Sequence, residues 1–242
     1  MLVEGTVPRL ADITLIAVDC VAHALTRRAV DDTLQRIVPA QAMVWSDLSE
    51  AVPPGASWME CEVLRSGEQV ASLLWCRVPR YLNTSHFLLV QWDGWVLDGQ
   101  QWVSEFLEYD YIGAPWWFSD GMNVGNGGFS LRSTRLAQYL ASHADEFPVT
   151  DPEDHTLCRR YRHALERKGF RWAPKWLAAH FAFERVRPDT PTFGFHGSYH
   201  WPRLLGDSAV EERMSLANEY VRSKSPWWSG DLPIASGEPF YK

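Results

Sequence analysis

The sequence predicts an α/β fold with a single, mostly parallel central sheet flanked by helices. Short apolar runs alternate with helical stripes through the first hundred residues, and the run at 87–92 is followed at once by Asp93 and Gly94. Such alternation is typical of parallel sheets, whose ligands bind at the carboxyl ends of the strands. We expect one domain over 1–197, with 198–242 as a helical, Trp-, Pro- and Gly-rich appendage packed on it.

The predicted elements follow from apolar periodicity and from residues that begin or end helices. The expected strands are 12–19, 42–46 and 87–92, with helices at 26–37 and 67–82 and a bend or end at Pro79. Farther along, the sequence predicts a short helix at 102–107, an irregular aromatic segment at 109–117, a helix capped by Ser133, a helix beginning at Asp151, and one helix near 210–223.

Composition and charge narrow the class of protein. The chain has 242 residues, of which 46% are hydrophobic, and a formal net charge of −7 without any block of like charges. This balance is typical of a globular protein and argues against a nucleic-acid partner held by general electrostatics. The tryptophan count of 13 is high, and pairs such as Trp116–Trp117 and Trp227–Trp228 suit either stacking on flat sugar faces or packing in a core.

The cysteines and the amino terminus indicate a cytosolic location. The four cysteines show no metal-binding spacing, which suggests free thiols in a reducing compartment. Neither a signal peptide nor an apolar run of membrane-spanning length is recognisable. Association with the cytosolic face of a membrane stays open.

Four short motifs could carry chemistry, and each has a simpler structural interpretation. Asp93 and Gly94 could serve only to form a turn, or Asp93 could also place a carboxylate at a strand end as a ligand group. The segment 125–128 contains three glycines, more than a turn needs, and suits close contact with a sugar or phosphate. Glu153 and Asp154 stand where a helix start favours acids, and His196 follows a short extended run.

These motifs together resemble a known group of proteins. Gln91-Trp-Asp-Gly, Tyr109-Asp-Tyr-Ile-Gly-Ala-Pro-Trp, Val124-Gly-Asn-Gly-Gly-Phe-Ser-Leu-Arg-Ser, Pro152-Glu-Asp and Phe193-Gly-Phe-His-Gly occur in this order. They resemble a bacterial, glycosyltransferase-like family with a domain of unknown function, related to the GT-A fold nucleotide-sugar glycosyltransferases. The resemblance covers roughly residues 12–197, and the glycine-rich block is its most specific part.

The resemblance implies a donor site with a divalent cation, Mn²⁺ or Mg²⁺. In GT-A enzymes a D-x-D element and a later histidine hold this cation, which implies Asp93 and His196 as metal ligands here. Gln91 replaces the first acid of the element, and an amide oxygen binds a hard cation with less charge. The implied donor-binding residues are Asp19, Gln91, Trp92, Asp93, Gly127, Gly128 and Arg132, the last through phosphate or by fixing the glycine loop.

The resemblance also implies a general base and an acceptor site. Glu153 and Asp154 match an x-E-D element whose carboxylate faces the acceptor hydroxyl, and Asp154 is the favoured base of the two. Trp116 and Trp117 are the candidate acceptor-binding residues.

The function that follows is a metal-assisted glycosyltransferase of bacterial polysaccharide biosynthesis. It would move a sugar from a nucleoside-diphosphate donor, with UDP expected, to a hydroxyl of a glycan or lipid-linked saccharide. The alternative is a catalytically inactive protein that binds nucleotide sugars or glycans on the same fold, which Gln91 and the tryptophans favour. A nucleotidyltransferase is less favoured, because no basic, glycine-rich loop follows the first strand. The sequence leaves the donor, acceptor, stereochemistry and oligomeric state open.

Overall fold

A computed structural model describes residues 6–150, 152–185 and 188–225. Its centre is a six-stranded sheet formed by β1 (Arg9–Val18), β2 (Val38–Ser46), β3 (Ser57–Glu60), β4 (His86–Val90), β5 (Tyr111–Gly113) and β6 (Phe129–Ser133). The strand order is β3-β2-β1-β4-β6-β5. The first four in this order pair in parallel, whereas β6 is antiparallel to β4 and β5. The predicted α/β class with a mostly parallel sheet is confirmed.

Both faces of the sheet are buried, and successive side chains of each strand alternate between the two faces. On one face lie Leu15 and Ala17 of β1 with Leu88 and Val90 of β4. The opposite face carries Ile16 and Val18 of β1 together with Phe87 and Leu89 of β4. This explains why both strands appear in the sequence as continuous apolar runs.

Helices and single turns cover the sheet. The α-helices are α1 (His23–Leu34), α2 (Gly67–Ser72), α3 (Thr134–Ser142), α4 (Glu153–His155), α5 (Arg162–Arg167), α6 (Lys175–Phe181), α7 (Trp201–Leu204), α8 (Asp207–Ser215) and α9 (Glu219–Lys224). Helix α2 continues as a π-helical turn at Leu73–Arg77 and a 3₁₀ turn at Val78–Tyr81, and α4 continues as a π-helical turn at Thr156–Arg160. Further 3₁₀ turns lie at Ser49–Ala51, Gly99–Gln101, Ser104–Glu108 and Ser198–His200.

The comparison with the predicted elements is mixed. The predicted strands correspond to β1, β2 and β4, and the Ser133 cap is confirmed because its Oγ accepts from the backbone N of Leu136 at 3.1 Å. The predicted helix at 102–107 is instead a 3₁₀ turn. Strands β3, β5 and β6 were not predicted, and the glycine block leads into β6 before α3 begins. The predicted helix start at Asp151 lies outside the described residues.

A two-stranded sheet and the last helices lie beside the carboxyl end of the main sheet. Strand β7 (Ala182–Phe183) pairs in parallel with β8 (Gly194–Phe195). Trp201 of α7 and Met214 of α8 share a buried cluster with Leu25 and Ala29 of α1. Arg213 of α8 also forms an ion pair with Asp32 of α1. The domain boundary at 197 stays a prediction, and Trp227 and Trp228 lie outside the described residues.

The cysteines and helices add two observations. All four cysteines are free, with Cys61 and Cys158 buried. Among the described residues, no helix combines the length and the apolar character needed to cross a membrane.

Candidate active site

The loop after β4 is a tight turn at the carboxyl end of the sheet. The backbone N of Gly94 donates to the Gln91 carbonyl at 3.1 Å, and Asp93 is buried in this turn. A Cβ at position 94 would lie 2.7 Å from the Phe195 carbonyl, so glycine lets the turn pack directly on β8. The N–H of Gly197 also donates to the Asp93 carbonyl at 3.0 Å. These contacts bring the residue after β8 to Asp93.

That residue is His196, whose ring meets the Asp93 carboxylate. Nε2 of His196 lies 3.1 Å from Oδ1 of Asp93, yet the two atoms are not aligned for a direct hydrogen bond. Both atoms are buried without another partner. Burial by itself lowers the pKa of His196, but the charges of Asp93 and Glu184 outweigh burial and raise that pKa well above its ordinary value.

The other edge of the imidazole faces two residues that the sequence reasoning did not identify. Oε1 of Glu184 lies 3.3 Å from Nδ1 of His196, and the Asn126 side-chain nitrogen lies 3.1 Å from the same atom. Burial raises the pKa of Glu184, but its hydrogen bond and charge interaction with His196 bring that pKa below its ordinary value. No local motif marks Glu184, whereas Asn126 stands inside the glycine block.

The glycine block wraps around this histidine. Asn126 has a φ of +67°, a left-handed conformation that asparagine tolerates better than most residues. Its carbonyl accepts from the Tyr111 hydroxyl at 2.9 Å, which holds the loop on the sheet. At Gly128 a Cβ would lie 2.0 Å from Nε2 of His196, so only glycine allows the imidazole to lie there. The block therefore forms one wall around the His196 ring.

The two carboxylates of α4 have different surroundings. Oδ2 of Asp154 accepts from the Gly127 N–H at 3.0 Å, and Oδ1 accepts from the His155 N–H at 2.8 Å. Burial, and secondarily the charge of Glu153, raise the pKa of Asp154. Glu153 instead forms two bonds with the buried Arg132 guanidinium, at 2.5 and 3.0 Å, and accepts from the Trp75 indole at 2.7 Å. Glu153 and Arg132 thus form an ion pair behind the glycine block.

A cavity of about 370 Å³ is lined by three of the seven predicted donor residues, Gln91, Gly127 and Gly128, and by His196, whereas Asp93 is not part of its lining. Its lining also includes Asp154 and Glu184, with Arg65 and Ser66 among the residues that complete it. Three predicted donor residues make other contacts. Asp19 accepts from the Ala22 N–H at the start of α1, Trp92 packs edge-on against Trp201, and Arg132 pairs with Glu153.

A second cavity of about 290 Å³ lies on the other side of Glu184, which borders both cavities. Its walls are mostly apolar and include Trp116, Trp117 and Phe183, with Lys175 and Arg185 contributing positive charge. Trp116 is buried, whereas Trp117 is 56% exposed and has the Arg185 guanidinium 3.9 Å from a ring centroid. The structure therefore separates the two tryptophans into a core residue and a surface residue.

The residues fit a cation site that the protein builds only in part. Within the ranges that the structure describes, no group of three or more His, Cys, Asp or Glu side chains could hold a metal ion. Asp93 and His196 nevertheless place two buried ligand atoms 3.1 Å apart, with no partner besides each other. Mg²⁺ and Mn²⁺ commonly take one or two protein ligands and complete their shells with substrate phosphate and water. Such a half-site suits a cation that arrives with a diphosphate.

A comparison with protein families shows to which family this chain belongs. The model of the family described as "Protein of unknown function (DUF5672)" matches residues 62–196, more than half of the chain. The chain belongs to this family. The match contains Gln91, Asp93, the glycine block and His196. Among curated proteins, no sequence matches this DUF5672 member.

Three solved structures similar to this DUF5672 protein are glycosyltransferases. The galactosyltransferase LgtC in complex with donor and acceptor sugar analogues is 12% identical, with a TM-score of 0.50 over 87% of this chain and 99% of that one. Others are the apo form of the glycosyltransferase GlyE from Streptococcus pneumoniae TIGR4 (10% identical, TM-score 0.47, covering 95% and 65%) and a glycosyltransferase involved in glycosylation of the major capsid of PBCV-1 (12%, 0.46, 84% and 98%). The likeness to LgtC shows the GT-A fold.

Proposed function

We propose that this protein is a glycosyltransferase that moves a sugar from a nucleoside-diphosphate donor, with UDP expected, to a hydroxyl of a glycan or lipid-linked saccharide. The observation that carries the proposal is the buried pair of Asp93 Oδ1 and His196 Nε2, which have no partner besides each other and lie beside a cavity lined by Gly127 and Gly128. Asp93 and His196 suit a cation, and the glycine loop suits a close approach of sugar or phosphate.

In this proposal, the residues in and beside the donor cavity have separate tasks. Asp93 and His196 hold a divalent cation, Mn²⁺ or Mg²⁺, which when bound supplies positive charge against the leaving diphosphate. Gly127 and Gly128 let the donor sugar approach the backbone. The Gln91 side chain contributes an amide to the cavity in place of a carboxylate, so the two-ligand set carries less negative charge than a full D-x-D element.

We assign the acceptor to the second cavity. Its apolar walls and the exposed Trp117 ring suit a sugar face, and Glu184 marks the border with the donor cavity. If the reaction inverts the anomeric centre, Asp154 is the proposed base, because Glu153 is committed to Arg132 and Trp75. The raised pKa of Asp154 favours proton uptake near neutral pH more than an ordinary carboxylate would. A cytosolic location and a role in polysaccharide assembly belong to the same proposal.

Hydrolysis of a panel of UDP- and GDP-sugars in the presence of Mn²⁺ tests the activity. At least one donor should be hydrolysed, and Asp93→Ala should reduce that rate by about 100-fold or more, because cation stabilisation of a leaving group is worth several kcal/mol. Glu166→Gln, a surface change on α5, serves as the control with unchanged rate.

One observation favours a second function. The amide of Gln91 at the cavity wall suits a catalytically inactive protein that binds nucleotide sugars or glycans. Calorimetric titration with each donor separates the two functions. Donor binding without hydrolysis, and without transfer to any acceptor saccharide, would support the binding protein and contradict the enzyme.

A further inference from the structure

The strand pairing places Glu184 and His196 side by side. Phe183 of β7 pairs in register with Phe195 of β8, so Glu184 and His196 each follow a paired residue by one position. The N–H of His196 donates to the Phe183 carbonyl at 3.0 Å. The Glu184 carbonyl accepts from the Tyr199 hydroxyl at 2.7 Å and from Nε2 of His200. The backbone on both sides of the imidazole is therefore fixed.

Asn126 shows that two arrangements compete whenever the His196 ring carries a single proton, as it must when a cation is bound. Its Oδ1 accepts from the Phe129 N–H at 3.1 Å, so its NH₂ group must face His196 and Glu184. If Nδ1 of His196 carries no proton, it accepts from Asn126, and the proton sits on Nε2 facing Asp93. If Nδ1 carries the proton, it donates to Glu184, and the Nε2 lone pair faces Asp93 instead.

From this geometry we propose that Glu184 is a positioning residue, which holds His196 as the Nδ1–H tautomer and keeps the Nε2 lone pair available to a divalent cation beside Asp93. The inference rests on the proposed function for the presence of that cation. A carboxylate faces each ring nitrogen, and a carboxylate accepts but cannot donate, so the cation-free ring has a proton towards Asp93 as well as towards Glu184. A cation that displaces the Nε2 proton leaves Nδ1–H donating to Glu184, and Asn126 then donates to Glu184 rather than to the ring. Carboxylates in this place raise the basicity of a ligating imidazole.

Cation affinity without any donor sugar is the first test. Mn²⁺ binding to the whole protein, followed by electron paramagnetic resonance, should weaken by 10- to 100-fold in Glu184→Gln, the range found for carboxylates behind metal-bound histidines. Glu184→Asp, which keeps the charge, should recover part of the affinity. The matched control is Glu166→Gln, because Glu166 also has a carboxylate oxygen 3.3 Å from a histidine Nδ1, that of His163, on the protein surface. The Mn²⁺ affinity of this control variant should equal that of the unaltered protein.

The tautomer of His196 in the unaltered protein provides a second test. In ¹⁵N NMR spectra of the unaltered protein with Mg²⁺, His196 should show a protonated Nδ1 and an unprotonated Nε2, with its signals assigned by their loss in His196→Gln. The opposite tautomer, an Mn²⁺ affinity within twofold of normal in Glu184→Gln, or the absence of any cation binding would overturn the inference. Normal cation results without donor hydrolysis would overturn only the proposed function.

Discussion

Gly128 and His196 are in such close contact that the loop cannot carry a side chain at this position. A Cβ at 128 would lie 2.0 Å from Nε2, the atom that faces Asp93. The obstacle is a ring held between Asp93 and Glu184 rather than the end of a flexible chain. Close packing of the glycine block is thus tied directly to the geometry of the proposed cation ligands.

Gly128→Ala should therefore displace the His196 ring and weaken Mn²⁺ binding by at least 10-fold, with donor hydrolysis falling in parallel. Gly206→Ala is the control, because a Cβ there meets open space and the φ of −73° is ordinary. Calorimetric Mn²⁺ titration of both variants checks this. Equal Mn²⁺ affinities in the two variants would contradict the role given to Gly128.

Glu153 should matter for stability more than for the chemical step. Arg132 is buried and the Glu153 side chain is only 11% exposed, and removing one partner of such a pair costs about 3–5 kcal/mol. Glu153→Gln should therefore lower the free energy of unfolding by about 3 kcal/mol in urea denaturation. Glu166→Gln, which alters the more exposed partner of the pair with Arg162, should cost about 1 kcal/mol or less, since the Glu166 side chain is 36% exposed. An unchanged stability together with a lost acid limb in the pH–rate profile would instead identify Glu153 as the base.

Trp117 should contribute to acceptor binding but not to the stability of the fold. Its ring is more than half exposed, so Trp117→Ala should leave the melting temperature nearly unchanged while raising the KM for a saccharide acceptor by about 10-fold, the loss expected from one stacking contact. Trp176→Ala provides a matched control, since Trp176 is 63% exposed and is not part of either cavity wall. Similar KM values for both variants would argue against an acceptor at Trp117.

His200 should make the fold less stable in mild acid. Burial lowers the pKa of His200 to about 4, below the 6.5 of an unfolded chain. The unfolded state therefore binds the proton more readily, and stability is lost as the pH falls from about 6.5 towards 4. Between pH 7 and 5 this loss should reach about 2 kcal/mol in urea denaturation. His200→Gln, which keeps an N–H donor but does not titrate, should flatten that dependence, and an identical pH slope would contradict the assignment.

The sequence predicted the elements that a continuous apolar run or a helix cap marks locally. Strands β1, β2 and β4 are buried on both faces and stand out as apolar runs, and Ser133 occupies a recognisable helix cap. Strand β6 was missed because it includes Arg132, a charged residue that is buried only through its pairing with Glu153. Such compensation comes from distant parts of the chain and has no local signature.

The candidate site likewise contains residues that a sequence motif marks and residues that no motif marks. Asp93, the glycine block and His196 carry motifs, and the fold brings them together. Glu184 has no motif, because its contact with His196 depends on the pairing of two strands of only two residues each, ten residues apart. Asp19, Trp92 and Arg132 are not part of the lining of the donor cavity and contact other groups of the protein, so their donor roles stay predictions.

A crystal structure with UDP and Mn²⁺, in which the metal is located by anomalous scattering, tests the central claim most directly. We expect a single manganese peak at bonding distance from an Asp93 carboxylate oxygen and Nε2 of His196, with the diphosphate beside Gly127 and Gly128. A manganese ion bound away from Asp93 and His196, or a nucleotide bound outside the cavity that those glycines line, would contradict the account.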